Sequence, residues 1–501
     1  MKKFWNKRIG VIAALVLVAV SPLMLQRPEA VSRSEADEVL VVITPHNETI
    51  RSEFTEAFNA YWQKKTGKKV YVDWRTPGGT SEIRLVLDSK FANAKGGGVG
   101  IDVFFGGGDY IFEKMAKAGR FEELDVFRTH EDWFEGEFGI PRIHTGETYY
   151  NKKKYWVGVC LSQFGICYNV DTLARLRIEP PKTWDDLSDP KYLGSVAMAD
   201  PTKSGSVARA FEMLVQQKIH QSLASTRRQP GETEEMRRQR AIGYGWADGL
   251  NLIQKIAANA RYFTDAATKI PHDVSQGDAA AGMCIDFYGR AYNEKLKKAD
   301  GSSRLQWIAP AGGSSLSVDP VAVFKGAPNA KLAQGFVEFL LSEEGQVLWN
   351  KRVGSEGGPK RRALRRLPIR PSVYSPENLA DFTDPEVRPY AETPLFIYQP
   401  EITGPVFGAL RYIIKSMCID AHHELRAAWV ALVKYDMPEM TLSRFHDVSY
   451  VSYVKSMGEI REQLNSDDKI ESAEEAKRMT GIFRRNYKEA VELAKEEANK
   501  Q

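Results

Sequence analysis

The amino-acid sequence predicts an α/β fold of two lobes followed by a mainly helical C-terminal part. The first observation is a run of three strand, polar turn and helix units between residues 39 and 119, which indicates a parallel sheet. The second is another unit of this kind at residues 199–215, far along the chain. The third is the length of 501 residues, which exceeds what one hydrophobic core usually serves.

The first lobe begins with an apolar strand over residues 39–44. Asn47 is a good N-cap for the helix that follows, and Gly67 is a good residue to end it. Strands over residues 70–74 and 101–105 come next, and each leads through a glycine-rich turn into another helix. This order of elements predicts a parallel sheet with helices on its faces.

Residues 199–215 predict a short strand that stops at Pro201 and a helix that Ser204 can cap. The N-terminus of such a helix offers unpaired N–H groups and a positive dipole to an anion. A capped helix that binds nothing is the alternative interpretation of this segment taken alone.

Polar turns follow the carboxyl ends of several predicted strands. They are PHN at 45–47, GGTS at 78–81, GGGD at 106–109 and SGS at 204–206. Ligands bind beyond these strand ends in open α/β sheets. The repeated placement favours one shared binding site over four unrelated helix starts.

Two segments are predicted to connect the lobes. A long apolar strand over residues 156–168 leaves the first lobe, and residues 277–288 contain a returning strand, so that together they form a two-strand hinge. The predicted divisions are 39–157 for the first part of lobe one, 158–285 for lobe two, 286–355 for the return to lobe one, and 356–501 for a mainly helical C-terminal extension.

Residues 1–30 have the pattern of an export segment, with basic residues before an apolar run over 9–25. We interpret them as a signal peptide or a signal anchor, which predicts a periplasmic or other extracytoplasmic protein. An uncleaved helix that tethers it to the inner membrane is the alternative. The net charge of +4 is concentrated in this segment, so the remaining chain gives no indication of a nucleic-acid partner.

The cysteines, and the motifs that the sequence lacks, limit the chemistry that we predict for this chain. Cys160, Cys167, Cys284 and Cys418 are expected to be buried thiols, with a bridge between Cys167 and Cys284 as the alternative. No Cys/His cluster indicates a metal site, and nothing indicates a cofactor. The sequence has no GxSxG, HExxH or Walker motif, so an enzyme is not predicted.

Five motifs carry a resemblance to a known family. In order they are TPHNE, DVFFGGGD, the block from WDDL to ADPTKSGS, GDAAAGMCIDFYGRA and FVEFLLSEEGQ. They resemble the family 1 extracellular solute-binding proteins of ABC importers, and among these the ferric-iron-binding branch with its type II periplasmic-binding-protein fold. The similarity spans about residues 39–355. It implies a monomer that closes over a small-molecule solute and delivers it to an ABC permease in the inner membrane.

The resemblance also implies which residues contact the solute. They are Thr44, His46, Asn47, Gly79, Thr80, Ser81, Gly107 and Gly108 from lobe one, Ser162 from the hinge, Ser204, Gly205 and Ser206 from lobe two, and Asp286, Tyr288 and Arg290 from the return strand. The iron binders use adjacent tyrosines, whereas Phe287 precedes Tyr288 here. Hydroxyls, glycine backbone, one histidine and one arginine suit an anionic organic solute better. Fe(III) transport and solute sensing for a membrane receptor kinase are the alternative functions.

Each of these residues also has a purely structural interpretation. Asn47 and Ser204 can be helix caps only, His46 can cover a helix start, and Asp286 with Arg290 can form a structural ion pair. The basic segment at 354–371 is expected on the solvated surface, with the permease or lipid headgroups as an alternative contact. The charged stretch at 218–242 is expected to be a solvated insertion.

Overall fold

The computed structural model describes residues 31–94, 98–391, 394–466 and 468–499. The predicted signal peptide or anchor over residues 1–30 lies outside the described residues. Within these ranges, no helix combines the length and the apolar character that crossing a membrane requires.

The strands run through both halves of the chain. They are β1 (Glu38–Ile43), β2 (Val70–Arg75), β3 (Val103–Phe105), β4 (Ile143–His144), β5 (Glu147–Thr148), β6 (Val157–Asn169), β7 (Val196–Ala199), β8 (Ala260–Thr264), β9 (Ala281–Ile285), β10 (Leu305–Ile308), β11 (Leu316–Val323) and β12 (Leu367–Pro368).

The helices of the two lobes are α1 (Glu48–Thr66), α2 (Thr80–Asn93), α3 (Asp109–Lys117), α4 (Val126–Thr129), α5 (Val170–Leu176), α6 (Gly205–Ser225), α7 (Glu234–Ala258), α8 (Lys269–Gln276), α9 (Asp286–Lys295), α10 (Ala330–Leu341) and α11 (Glu343–Val347). Those that follow are α12 (Pro376–Asp381), α13 (Pro400–Thr403), α14 (Phe407–Ile414), α15 (His422–Lys434), α16 (Glu439–Phe445), α17 (Tyr453–Met457), α18 (Glu459–Leu464) and α19 (Lys469–Ala498), with a π-helical turn at Lys415–Ile419 after α14.

One sheet runs through both lobes in the order β2-β1-β3-β11-β6-β9-β7-β8, and β10 and β12 also pair with β6. β1 is parallel to β2 and β3, and β7 is parallel to β8 and β9. The first half of β6 pairs with β11, and its second half pairs with β9 and β10. The predicted α/β fold of two lobes with a helical extension is therefore confirmed.

The long strand β6 is the first crossing between the lobes, at the position that the sequence predicts. Gly165 lies in it, and a Cβ added there would stand 2.1 Å from the carbonyl oxygen of Ile308. A side chain at this position would force β6 and β10 apart. The glycine is therefore required by the close approach of the two strands.

The second crossing lies between β10 and β11, at residues 309–315. The predicted returning strand is present as β9, but it pairs with β7 and β6 in the second lobe. Phe287 at the start of α9 also belongs to the core of that lobe. A continuous apolar run shows that a strand is buried without showing which neighbour it joins, so its partners could not be predicted.

The predicted helix ends are confirmed. The Asn47 side chain accepts the N–H of Ile50 at 3.1 Å, and Gly67 ends α1 with a φ of 77°. Ser204 accepts the N–H of Val207 at 3.4 Å at the start of α6. Hydroxyl and amide side chains satisfy N–H groups that the first helical turn leaves unpaired.

The C-terminal extension shares one hydrophobic core with the second lobe. Trp246 of α7 donates its indole N–H to the carbonyl of Val451 at 2.9 Å. Trp429 of α15 donates to Asn259 at 2.9 Å, at the end of α7. Because buried indoles need such partners, these bonds fix the extension against the lobe.

The charged stretch at 218–242 is solvated, as predicted: it forms the end of α6, a connection and the start of α7, and its arginines and glutamates stay unburied. There Arg237 pairs with Glu234 at 2.6 Å and Arg240 with Glu232 at 2.8 Å. The prediction that the basic segment at 354–371 lies on the surface was wrong in part, because only its first part is exposed. Its second part is buried, because Leu364, Leu367 and Ile369 turn into the first lobe's core and β12 pairs with β6. All four cysteines are buried and free, as predicted.

We expect Leu425→Ala to lower the free energy of unfolding by about 2–5 kcal/mol, because Leu425 of α15 is fully buried in the shared core. Urea titration followed by tryptophan fluorescence should show this loss in the transition that also unfolds the second lobe. Val454→Ala is the matched control, since Val454 is 81 % exposed, and it should change stability by about 0.5 kcal/mol or less. A separate early transition of the extension in the Leu425 variant would contradict the shared core.

Candidate functional site

A cleft of about 530 Å³ lies between the two lobes. Its walls include the turns that follow β1, β3 and β7, which are the strand ends that the sequence analysis singled out. Ser162 of β6 and Asp319 of β11 form part of its floor. The cleft therefore lies where ligands bind in α/β proteins.

Most of the predicted site residues line this cleft. They are His46, Asn47, Gly79, Thr80, Ser81, Gly107, Gly108, Ser162, Ser204, Gly205, Ser206 and Tyr288. That any of them contacts a solute stays a prediction.

Three predicted residues are not among the lining residues. Thr44 is fully buried, and its hydroxyl accepts the N–H of His46 at 3.1 Å. Asp286 is also fully buried and pairs with Arg290 at 2.5 Å on the next turn of α9. The structural interpretation of this ion pair is thus what the structure shows. Residues four apart on a helix share one face, and here that face is buried and does not line the cleft.

The lobes touch each other across the cleft. Ser81 of lobe one donates to the carbonyl of Thr202 in lobe two at 3.1 Å. Asn47 of lobe one and Tyr288 of lobe two line the same cavity, and the Asn47 amide opposes the burial that raises the pKa of the Tyr288 phenol. The two walls are therefore in contact in this structure.

A buried ion pair lies in the floor of the cleft. Arg366 is 2 % exposed and pairs with Asp319 of β11 at 2.5 Å, while its second nitrogen donates to Ser162 of β6. The guanidinium also lies 4.6 Å from the ring centre of Phe287. Although burial opposes ionisation, Arg366 and His46 together hold the pKa of Asp319 below its ordinary value.

His46 packs edge-on against Phe105, with ring centres 4.5 Å apart. Its Nε2 has no hydrogen-bond partner among the described residues, and burial lowers the pKa of His46 to about 3. A Cβ at Gly106 would stand 2.3 Å from this nitrogen, and Gly106 has a φ of +83°. The glycine after β3 therefore leaves the space that the imidazole occupies.

Arg209, in the second turn of α6, belongs to a second buried network. It donates to both carboxylate oxygens of Glu147 at 2.7 Å and to Glu212 at 2.6 Å. Ser315, in the segment that crosses back to lobe one, donates to Glu147 at 2.5 Å. Burial raises the pKa of Glu147 to about 7 against the opposing charge of Arg209. The network joins the β4–β5 hairpin, the second crossing and lobe two.

Sequence reasoning missed several lining residues. Arg366 belongs to a basic segment that we expected at the surface, yet it is the cation of the cleft floor. The signal was the alternation of Leu364, Leu367 and Ile369 with basic residues, which is typical of a partly buried extended segment. Asp319 gave no signal, since a single carboxylate inside an apolar strand has no pattern around it.

The cleft lining includes two tyrosines that bear on metal binding. Tyr110 lines the cleft together with Tyr288, and the ring of Tyr110 packs on Phe407 with centres 4.9 Å apart. In the part of the chain that the structure describes, no group of three or more His, Cys, Asp or Glu side chains is arranged to hold a metal ion.

Two α/β lobes that meet over a cleft are the arrangement typical of a binding protein for a small solute. A family model described as "Bacterial extracellular solute-binding protein" matches residues 100–359, which is about half of the chain. The chain belongs to this family, whose members serve ABC transport outside the cytoplasm as binding proteins.

Individual relatives are similar to this chain at 26% identity. An uncharacterized protein from Haemophilus influenzae is 26% identical over 338 residues, which cover 66% of this chain and 82% of the relative. The phosphoglycerate transport regulatory protein PgtC of Salmonella typhimurium is 26% identical over 225 residues, 43% of this chain and 48% of PgtC. The match thus spans about half the length of PgtC.

Solved structures show similarity at low identity. The periplasmic binding protein AfuA from Actinobacillus pleuropneumoniae is 19% identical with a TM-score of 0.48, covering 73% of this chain and 90% of AfuA. The ferric ion-binding protein A of Pasteurella haemolytica is 14% identical with a TM-score of 0.43, covering 66% of this chain and 85% of that protein.

Arg366→Met should lower the free energy of unfolding by about 3–5 kcal/mol at pH 7, because it leaves the Asp319 carboxylate buried without its cation. The pKa of Asp319 is depressed in the folded protein, so its contribution is present above its unfolded pKa and is lost as the pH falls through the folded value. The cost of the variant should therefore shrink in acid. Urea titrations at pH 7 and pH 4 measure it. The double variant Arg366→Met/Asp319→Asn should recover much of the loss, and no recovery would contradict the pairing.

The buried imidazole predicts a specific pH dependence. The pKa of His46 in the folded protein is about 3, well below the ordinary 6.5. Between pH 3 and pH 6.5, the unfolded chain therefore binds a proton at this residue that the folded protein does not bind. Stability should fall by roughly 1.4 kcal/mol for each pH unit below about 6.5 through this residue. His46→Gln should make the dependence of thermal stability between pH 6 and pH 4 flatter by that amount. His423→Gln, at an exposed histidine, should keep the original slope. An equal slope in both variants would refute the assignment.

Proposed function

We propose that this protein captures a small anionic solute between its lobes and delivers it to an ABC permease in the inner membrane. The observation that carries the proposal is the cleft itself, where glycines and hydroxyl side chains from turns of both lobes line the same cavity as arginine side chains. Such donors are suited to phosphate and carboxylate oxygens. The protein would act as an extracytoplasmic monomer, with residues 1–30 as a signal peptide or, alternatively, an anchor.

Closure of the two lobes would be the mechanism of capture. Ser81 and Thr202 join the walls in this structure, and Asn47 and Tyr288 line the same cavity from opposite lobes. A solute that binds both walls would favour this arrangement over an open one, because only the closed form offers it both sets of donors. The two crossings, β6 and residues 309–315, are the segments about which the lobes would move.

PgtC is named a phosphoglycerate transport regulatory protein, which supports testing phosphate esters and carboxylates first. The same name contains the word regulatory, which favours the second candidate function. In this alternative the closed protein would report its solute to a membrane receptor kinase. Fe(III) transport is the third, and Tyr110 beside Tyr288 gives the cleft two phenols for it.

Thermal unfolding of the purified protein tests the proposal. The panel consists of 3-phosphoglycerate, citrate, ferric citrate and glucose. A solute that binds only the folded protein at a hundredfold excess over its Kd adds about 2.7 kcal/mol of stability. We expect 3-phosphoglycerate or citrate to raise the melting temperature. A rise with ferric citrate that citrate alone does not give would support iron transport, and no rise with any compound would count against solute capture.

Tyr288→Ala provides the matched cleft variant for this panel. Tyr288 lies at the cleft wall in lobe two, so its loss should weaken the solute-dependent rise while leaving the solute-free melting temperature little changed. Tyr435→Ala, at a tyrosine outside the cleft lining, is the control. Equal effects of the two variants would remove Tyr288 from the binding site.

A further inference from the structure

The C-terminal extension forms part of the cleft wall. Phe407 and Arg411, both on α14, line the cleft together with residues of the two lobes. They lie beyond residue 359, where the match to the solute-binding family ends. A segment outside the family match therefore contributes directly to the site.

Arg411 holds both lobes through neutral acceptors. Its Nε donates to the carbonyl of Pro201 at 2.6 Å, and one terminal nitrogen donates to the carbonyl of Thr202 at 2.6 Å and to the Ser81 hydroxyl at 2.7 Å. Pro201 and Thr202 belong to the turn after β7 in lobe two, and Ser81 belongs to α2 in lobe one. Among the described residues, no carboxylate lies within ion-pair distance of Arg411.

Arg84 faces the same cleft from α2 of lobe one. It makes no hydrogen bond or ion pair with any residue that the structure describes. Burial lowers the pKa of Arg411 most, and the nearby charge of Arg84 lowers it further. The two guanidinium groups are thus close enough to repel each other, which costs free energy as long as no anion lies nearby.

The other arginine and lysine side chains of the cleft lining each have a carboxylate partner. Arg366 is paired with Asp319, Arg209 with Glu147, and Lys203 with Asp265. In the described part of the cleft lining, Arg84 and Arg411 are the cations without a carboxylate partner.

Two carboxylates in the cleft lining do not neutralise them. Glu82 and Asp109 line the cleft as well, but the charge of Glu82 acts on Lys203 and that of Asp109 acts on Arg209. Neither carboxylate is among the charges that shift the pKa of Arg411. Asp200 is the carboxylate whose charge does act on Arg411, with a weaker influence than that of Arg84, so this corner of the cleft keeps an excess of positive charge.

We propose that Arg411 and Arg84 form the subsite for the anionic group of the solute, so that the C-terminal extension is part of the binding site. This inference rests on the proposed capture of an anionic solute, and it names the residues that select the charge. Guanidinium groups suit phosphate and carboxylate oxygens because they are charged N–H donors. Arg84 offers its whole planar fork, and Arg411 offers the terminal nitrogen that bonds neither Thr202 nor Ser81. An anion held between them would join lobe one to the extension, whose Arg411 also bonds the 201–202 turn of lobe two.

The test is isothermal titration of the full-length protein with 3-phosphoglycerate, inorganic phosphate and glycerol. Arg84→Ala and Arg411→Ala should each weaken binding of 3-phosphoglycerate roughly tenfold or more, because a charge-assisted hydrogen bond is lost. Arg411→Lys keeps the charge without the fork and should fall between wild type and Arg411→Ala. Arg485→Ala, at an exposed arginine of α19, is the matched control and should bind as wild type does.

Arg84→Ala keeps the test decisive if Arg411→Ala disturbs the 201–202 turn, since Arg84 makes no hydrogen bond or ion pair with the described residues. Its melting temperature without solute should equal or slightly exceed that of wild type, because the repulsion between the two guanidinium groups is removed. Unchanged affinity in both alanine variants would overturn the subsite and leave solute capture intact. Wild-type binding of glucose with no binding of either phosphate compound would overturn the subsite and the anionic character of the solute together, and would leave only capture of a solute between the lobes. No binding of any compound in either panel would count against both proposals.

Discussion

The buried pair of Arg366 and Asp319 is the interaction on which the geometry of the cleft depends. Asp319 lies on β11 and accepts the N–H of Gly107, which follows β3, while Arg366 reaches Ser162 on β6. One ion pair therefore connects three neighbouring strands and the glycine turn at the point where the lobes meet. A buried pair of this kind adds little net stability relative to apolar residues, but it fixes positions, because either charge alone would be costly in this environment. The floor of the cleft is thus held by charge, and its walls are held by hydrophobic packing.

The two lobes differ in how they are completed. Lobe one closes its core with residues that return late in the chain, among them Trp349 and Ile369. Lobe two has no separate boundary with the extension, since Trp246, Trp429 and Tyr487 belong to one core. If the lobes move about β6 and residues 309–315, the part of the extension from α13 to α19 moves with lobe two, whereas the chain from 356 to 391 packs on lobe one. Arg411 of α14 then meets lobe one across the cleft. This asymmetry explains how Arg411, which belongs to the body formed by lobe two and α13 to α19, can also bond Ser81 of lobe one.

Much of the fold could be predicted from the sequence because local rules decide it. The N-cap Asn47, the terminal Gly67 and the strand before Pro201 are properties of a few adjacent residues, and all appear as expected. What failed were pairings at long range. β9 joined the second lobe, and Arg366 turned inward with the apolar residues around it, because burial depends on partners that no local pattern reveals. The cleft residues at strand ends were predictable from topology, whereas Asp319, Arg84 and Arg411 needed the folded arrangement.

The shared core of lobe two and the extension has a consequence for the order of synthesis. β7, β8 and the helices between them end at residue 264, but Tyr487, whose hydroxyl accepts a hydrogen bond from Gln254, is made almost at the end of the chain. Until then the apolar face of α7 that meets the extension has no cover, and exposed surfaces of this kind are prone to aggregate. The core of lobe two therefore cannot be complete until the last helix has been made.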